Sequence, residues 1–135
     1  MKVVLDTNTL TQVVFTNKQP KLIWDAFINE EYTLCVSNEI IMEYEEILNQ
    51  LVPPEITDLV ITTILSAENT EKVSPDFRFN LIHSDYDDNK FVDCAIYAKA
   101  TYIVTEDTHF NELKQNPYPI VNIKNIQEFL EILKK

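Results

Sequence analysis

Four acidic residues stand where strands and helices are expected to begin or end. They are Asp6 after Val3-Val4-Leu5, Glu43 in Glu43-Tyr44-Glu45-Glu46, Asp88 in Asp85-Tyr86-Asp87-Asp88-Asn89-Lys90-Phe91, and Asp107 in Ile103-Val104-Thr105-Glu106-Asp107. Carboxylates gathered at one point repel each other and resist desolvation, so a fold that assembles them needs a cation. Mg²⁺ or Mn²⁺ is the natural candidate, because hard divalent cations take oxygen ligands, keep waters and coordinate phosphate oxygens. A carboxylate cluster of this kind suits phosphoryl chemistry. Each residue also has an ordinary role open to it: Asp6 as a helix N-cap, Glu43 on a solvated helix edge, Asp88 as a cap beside Asp85 and Asp87, Asp107 in a turn.

The elements that must position these residues can be read from pattern. Lys2 to Leu5, Tyr32 to Val36 and Tyr102 to Thr105 are β-branched apolar runs that predict buried strands. Helices are expected from about Thr9, over Leu22 to Ile28 after Pro20, and from Ser37 or Asn38 to about Leu51. In the last of these Ile40, Tyr44, Ile47, Leu48 and Leu51 make the core stripe, and Glu43 borders it. Pro53-Pro54 ends that helix, and another is expected over Glu55 to Leu65.

Between Ser66 and Ile82 the pattern is weakest, with a short strand expected at Val73 or at Leu81-Ile82. Phe91 to Ala100 reads as a helix behind an acidic N-terminus. A short helix near Phe110 to Lys114, a strand over Ile120 to Ile123 and a helix over Ile126 to Leu133 complete the chain. Strands alternating with helices imply a parallel sheet covered on both faces, and such sheets bind ligands outside the carboxyl ends of their strands. Asp6 and Asp107 fall just past strand ends, which gives four distant acids a physical reason to converge.

With 135 residues, 45% of them hydrophobic, the chain is about one domain's worth, and we expect a single domain over 1–135. No apolar run approaches the roughly 18 residues that span a bilayer, and the N-terminus enters a strand at once, so no membrane association and a cytoplasmic location are expected. Cys35 and Cys94 lack metal-ligand spacing and read as core thiols. His83 and His109 are isolated, with surface or loop placement expected. Gly is absent, which excludes Gly-rich phosphate loops and leaves turns to Asn, Asp and Pro. The formal charge of −11 weighs against a large nucleic-acid footprint built from this chain's own basic residues, although a metal, a basic partner or a second copy would offset it.

Two other chemistries fit poorly. A calcium loop starting at Asp85 fails, because Lys90 stands where Gly is needed and Ile96 where Glu is needed. A phosphatase using Asp6 as nucleophile would want a second acid at Asn8.

Taken together, Leu5-Asp6-Thr7-Asn8, Ser37-Asn38-Glu39-Ile40-Ile41-Met42-Glu43-Tyr44, Asp88-Asn89-Lys90-Phe91-Val92-Asp93-Cys94-Ala95 and Ile103-Val104-Thr105-Glu106-Asp107 resemble, in order and over nearly the whole chain, the PIN-domain family, in particular its bacterial and archaeal toxin-type members. The resemblance implies a three-layer α/β/α sandwich with about five parallel strands and a ribonuclease dependent on Mg²⁺ or Mn²⁺. Carried over by position, its acidic residues fall on Asp6, Glu43, Asp88 and Asp107. Asp6 would be the central ligand, Asp88 and Asp107 would complete the shell, and Glu43 would act through water or orient the nucleophile. Thr105 and Asn8 match supporting polar positions.

The family's frequent Gly before the final acid is replaced by Glu106, and Arg78 is the only arginine. Asp93 lies about 140° around a helix from Asp88, so the two cannot share a face; Asp93 is kept as an outer ligand. The resemblance also implies an RNA substrate, single-stranded or structured, a cognate antitoxin and often a homodimer, which exposed apolar surface between Pro53 and Ser66 would support. The rival expectation is a catalytically silent PIN-like module that engages a protein partner.

Overall fold

The computed structural model describes residues 1–82, 86–115 and 119–135, so the expectations for His83 and Asp85 lie outside the described residues. Among the described residues five strands, β1 (Lys2–Leu5), β2 (Thr33–Val36), β3 (Thr70–Lys72), β4 (Tyr102–Val104) and β5 (Ile123–Lys124), form one parallel sheet in the order β3-β2-β1-β4-β5. The helices are α1 (Thr7–Phe15), α2 (Lys21–Ile28), α3 (Asn38–Leu51), α4 (Pro54–Ser66), α5 (Asn89–Ala98) and α6 (Ile126–Leu133), with 3₁₀ segments at Tyr86–Asp88 and Thr108–Gln115. This is the α/β/α sandwich with a parallel sheet that the alternation of elements predicts. No helix among the described residues is long and apolar enough to cross a membrane.

The central strands are apolar on both sides because helices cover both: Val3, Val4, Leu34, Cys35, Val36, Ile103 and Val104 are fully buried. Helix α5 lies on β1, β2 and β4, α1 packs on α2 and α3, and α6 packs on α2. Capping follows the side chains. Ser37 accepts from the Ile40 N–H at the start of α3, and Asn125 with Glu128 forms a reciprocal capping box on α6. Both cysteines are free and buried; burial pushes the Cys35 thiol up to about 11, which makes it a core group with little thiolate at neutral pH.

Four expectations need correction. The third strand is Thr70–Lys72, and Val73 only extends it by donating to Val36 O at 2.8 Å; this polar run is illegible as a strand because it sits at the sheet edge, with one strand neighbour and no fully buried residue. The last strand is Ile123–Lys124, and Ile120, assigned to it, is 74% exposed. Leu51, expected in the core stripe, is 58% exposed at the last position of α3. Without glycine, two of the left-handed positions fall on Glu30 (φ 60°) and Lys99 (φ 58°), with Asn80 (φ 53°) the third; each non-Gly residue there stores about 1 kcal/mol of backbone strain.

Candidate active site

The strand order dictates where a site can form. From β1 the chain steps outward to β2 and β3, then returns to place β4 on the other flank of β1, so β1 and β4 border a topological switch point. Leu5 pairs with Val104 at its carboxyl edge, and the next residue on each strand is polar and buried: Asp6 and Thr105. The Asp6 N–H extends the ladder to Val104 O at 3.3 Å. Both Asp6 oxygens are engaged. Oδ1 caps α1 by accepting from the Thr9 N–H at 2.8 Å, and Oδ2 accepts from the Thr105 hydroxyl. The cap role and the cleft role are therefore compatible in one side chain. Burial holds the Asp6 carboxyl above its ordinary pKa, the bonds from Thr105 and Thr9 offset part of that rise, and the Asp107 charge adds to it.

Glu43 arrives from α3. The fully buried Tyr44 donates its hydroxyl to Leu5 O at 2.5 Å, satisfying the last carbonyl of β1 and fixing the helix against the strand end. Its neighbour Glu43 then reaches the cleft, where Oε2 accepts from the Thr7 hydroxyl and Oε1 pairs with Lys90 Nζ at 2.8 Å. Lys90 also donates to Asp87 O at 2.7 Å.

Asp88 ends the 3₁₀ turn before α5. That turn is anchored by Asn89, whose side-chain amide accepts from the Ile82 N–H and donates to Ile82 O, both at 2.9 Å. Asp107 is set by the loop after β4: its N–H donates to Thr105 Oγ1 at 2.9 Å, and its Oδ1 accepts from the His109 N–H at 2.8 Å. His109 Nδ1 lies 3.1 Å from Asp107 Oδ1 and 3.4 Å from Asp88 Oδ2. Asp88, Asp107 and His109 each offer a donor atom, all within 4.8 Å of one another.

Asp6, Asn8, Glu43, Asp88 and Asp107 line one cleft of about 230 Å³, together with Thr7, Ile47, Asp87 and Phe91. A second hollow of about 290 Å³ continues from it past Asp6, Asn8 and Asp107 to Gln12 and Glu106. Asn8 is exposed at the shared lip. A larger hollow of about 320 Å³ between the end of α5 and residues 119–121 has no acidic or histidine lining and is not a candidate for this chemistry.

Asp6, Glu43, Asp88 and Asp107 thus share one cleft, with Asn8 and Thr105 at or beside it, and Asp93 lies outside it. Asp93 is nearly fully buried elsewhere, accepting from the Phe79 N–H at 3.0 Å. It grips the 73–82 segment, which Arg78 also ties down through Glu39 at 2.9 Å. Sequence reasoning missed one residue that lines the cleft, Thr7, and two that pair with its carboxylates, Lys90 and His109. Thr7 was adjacent to Asp6 and ignored, Lys90 pairs with a residue remote in sequence, and His109 was read as an isolated loop residue although an Asp-x-His spacing lets the carboxylate hold the histidine backbone in an Asx turn.

A family model described as PIN domain matches residues 2–109. This chain belongs to the PIN-domain family. Solved structures with similar folds are VapBC2 from Rickettsia felis bound to a DNA fragment from its promoter, at 15% identity, TM-score 0.64 and coverage of 93% of this chain and 98% of that one. Another is FitAB bound to an IR36 DNA fragment, at 15% identity, TM-score 0.59 and coverage of 92% and 94%. No curated protein sequence matches the chain. At this identity the likeness is one of fold, and the PIN assignment rests on the family match.

Proposed function

We propose that this PIN domain is a ribonuclease dependent on a divalent cation, that it hydrolyses RNA phosphodiester bonds, and that it is the toxin of a toxin–antitoxin pair. The observation that carries the nuclease reading is the convergence of Asp6, Glu43, Asp88 and Asp107 on one cleft at the β1/β4 switch point. PIN domains are generally nucleases, and the donor set fits a divalent cation: two carboxylates from different elements approach within coordination reach of each other. When bound, the cation, Mg²⁺ or Mn²⁺, would lower the pKa of a water and polarise a phosphoryl oxygen.

The chain's own residues divide the remaining work. Asp88 and Asp107 would hold the cation at the rim of the cleft. Asp6 sits below, its carboxylate oriented by Thr9 and Thr105, and would supply fixed negative charge and a further oxygen facing the cleft. Glu43 is held between Thr7 and Lys90, which suits a group that orients the attacking water more than one that must swing freely. Asn8, at the lip, would donate its amide to the RNA backbone.

The toxin role is supported by the complexes that structurally similar proteins form, VapBC2 and FitAB, both solved with DNA. For this chain the partner would be a basic or DNA-binding antitoxin, consistent with a net charge of −11. A homodimer is the further proposal: Ile56, Leu59 and Leu65 on α4 and Leu51 beside them are exposed apolar residues on the segment where self-association was expected. The same surface favours the rival reading, a silent module that only engages a protein.

Incubating purified protein with single-stranded RNA and Mn²⁺ or Mg²⁺ separates the two. Cleavage that stops with EDTA and with Asp6→Asn supports the nuclease; binding of a partner with no cleavage under any cation supports the module.

A further inference from the structure

We propose that His109 is a direct ligand, giving its imidazole nitrogen to the cation shared with Asp88 and Asp107, so that the site takes a first-row transition cation in preference to Mg²⁺. This rests on the proposed cation site of the nuclease but not on cleavage itself.

The geometry is the starting point. Around a six-coordinate cation with bonds of about 2.1 Å, neighbouring donors lie about 3 Å apart. His109 Nδ1 stands 3.1 Å from Asp107 Oδ1 and 3.4 Å from Asp88 Oδ2, which is the spacing of donors on one face of such a shell. Asp88, Asp107 and His109 are the donors that lie within 4.8 Å of one another among the described residues.

The nitrogen is also held in place. Phe110 is fully buried and packs on Phe91 of α5 with ring centroids 6.4 Å apart. Since Asp88 immediately precedes α5, that ring contact locks the two donor-bearing segments to each other. The His109 N–H bond to Asp107 Oδ1 then sets the side chain over the carboxylate. A pre-set donor loses little freedom on binding.

Chemistry decides what this site prefers. Mg²⁺ takes oxygen donors in near-ideal octahedral geometry and gives up water reluctantly, so an imidazole gains it little. Transition divalent cations accept imidazole readily, with affinity rising from Mn²⁺ toward Cu²⁺. Replacing His109 should therefore lower affinity for Mn²⁺ far more than for Mg²⁺.

The test uses the full chain loaded with Mn²⁺, comparing wild type with His109→Ala by pulsed electron paramagnetic resonance and by Mn²⁺ and Mg²⁺ titration. Because the His109 side chain is 42% exposed, the variant is expected to fold, which circular dichroism checks. Asp88→Asn serves as the control that lowers both affinities. Wild type should show ¹⁴N modulation from a bound imidazole, and His109→Ala, which retains His83, should lose it. The variant should also lose about tenfold or more in Mn²⁺ affinity, with Mg²⁺ affinity changed less than about twofold. Mn²⁺ bound by wild type without ¹⁴N modulation, or an unchanged Mn²⁺ to Mg²⁺ preference in His109→Ala, overturns the proposal and leaves His109 as an ion-pair partner of the two carboxylates. If ¹⁴N modulation is present while no RNA is cut, the ligand assignment stands and the nuclease reading falls.

Discussion

Two pairs of carboxylates share this cleft, and the protein treats them differently. The floor pair, named for the buried Asp6 and joined by the 28% exposed Glu43 because both are anchored alike, is surrounded by donors the fold supplies: a backbone amide and a hydroxyl on Asp6, a hydroxyl and an ammonium on Glu43. The other pair, the rim pair Asp88 and Asp107, comes from the 3₁₀ turn before α5 and the loop after β4, meets across His109, and also takes the His109 N–H on Asp107. A carboxylate held by protein donors is oriented but partly neutralised, so it suits positioning and electrostatics. Two carboxylates that approach one imidazole nitrogen at 3.4 and 3.1 Å offer the set of donor atoms a divalent cation takes. The acids therefore do not form four equal ligands, and the partition between floor and rim is what substitutions can break or sharpen.

The largest effect is expected at the rim. Asp107→Asn keeps the shape and the bond from the His109 N–H but removes the charge; it should lower cation affinity and cut RNA cleavage by a factor on the order of 10³, a loss typical of removing a central electrostatic group. Cleavage rates measured at saturating Mn²⁺ and at low Mn²⁺ would separate lost binding from lost catalysis.

At the floor, Asp6→Asn should reduce cleavage by about 10² yet stabilise the metal-free protein. The sign follows from the raised carboxyl. A group with a higher pKa folded than unfolded stabilises the fold fully below its unfolded value and loses that contribution as pH rises through the folded value. In EDTA at neutral pH the charged, buried Asp6 is thus a net cost, and its amide isostere, which still accepts from Thr9, removes it. Thermal unfolding in EDTA should show the variant melting at a higher temperature than wild type at neutral pH, with the difference vanishing at pH values below the ordinary carboxylate range.

A smaller change is expected for Lys90→Met, which takes the ammonium from Glu43 while keeping the stem. Cleavage rates measured at saturating Mn²⁺ should fall about tenfold. Smallest of all, Asp93→Asn should leave both cleavage and stability near wild type, since the amide oxygen still accepts from the Phe79 N–H. Asp93→Ala should instead cost about 1–3 kcal/mol by orphaning that N–H, seen as a lower denaturant midpoint with cleavage of the folded fraction intact. An activity loss in Asp93→Asn would show that the cleft extends further than its lining residues indicate.

Much of this was legible before any coordinates. Asp6 and Asp107 could be placed because a β-branched run that ends in an acid marks a strand's carboxyl edge, and parallel sheets bind ligands there. Glu43 could be set on α3 from its place beside a clear helical stripe, its part in the site and that of Asp88 came with the family resemblance, and α6 stood out as a helix over Ile126 to Leu133.

What stayed hidden was set by tertiary pairing. Nothing near Lys90 in sequence says that it neutralises Glu43, and nothing near Asp93 says that its carboxylate will hold Phe79. His109 needed the loop geometry after β4. The edge strands β3 and β5 are short and carry polar residues because an edge does not demand a continuous apolar run, so period and hydropathy carry little signal there.

The central claim is that the rim and floor acids together serve one cation used to cut RNA. Mn²⁺ titration of purified wild type and Asp88→Asn, each assayed in parallel for single-stranded RNA cleavage, tests it most directly. Saturable Mn²⁺ binding that tracks cleavage in wild type, with both lost together in the folded Asp88→Asn protein, is the predicted result; cleavage that persists in EDTA or in Asp88→Asn would contradict it.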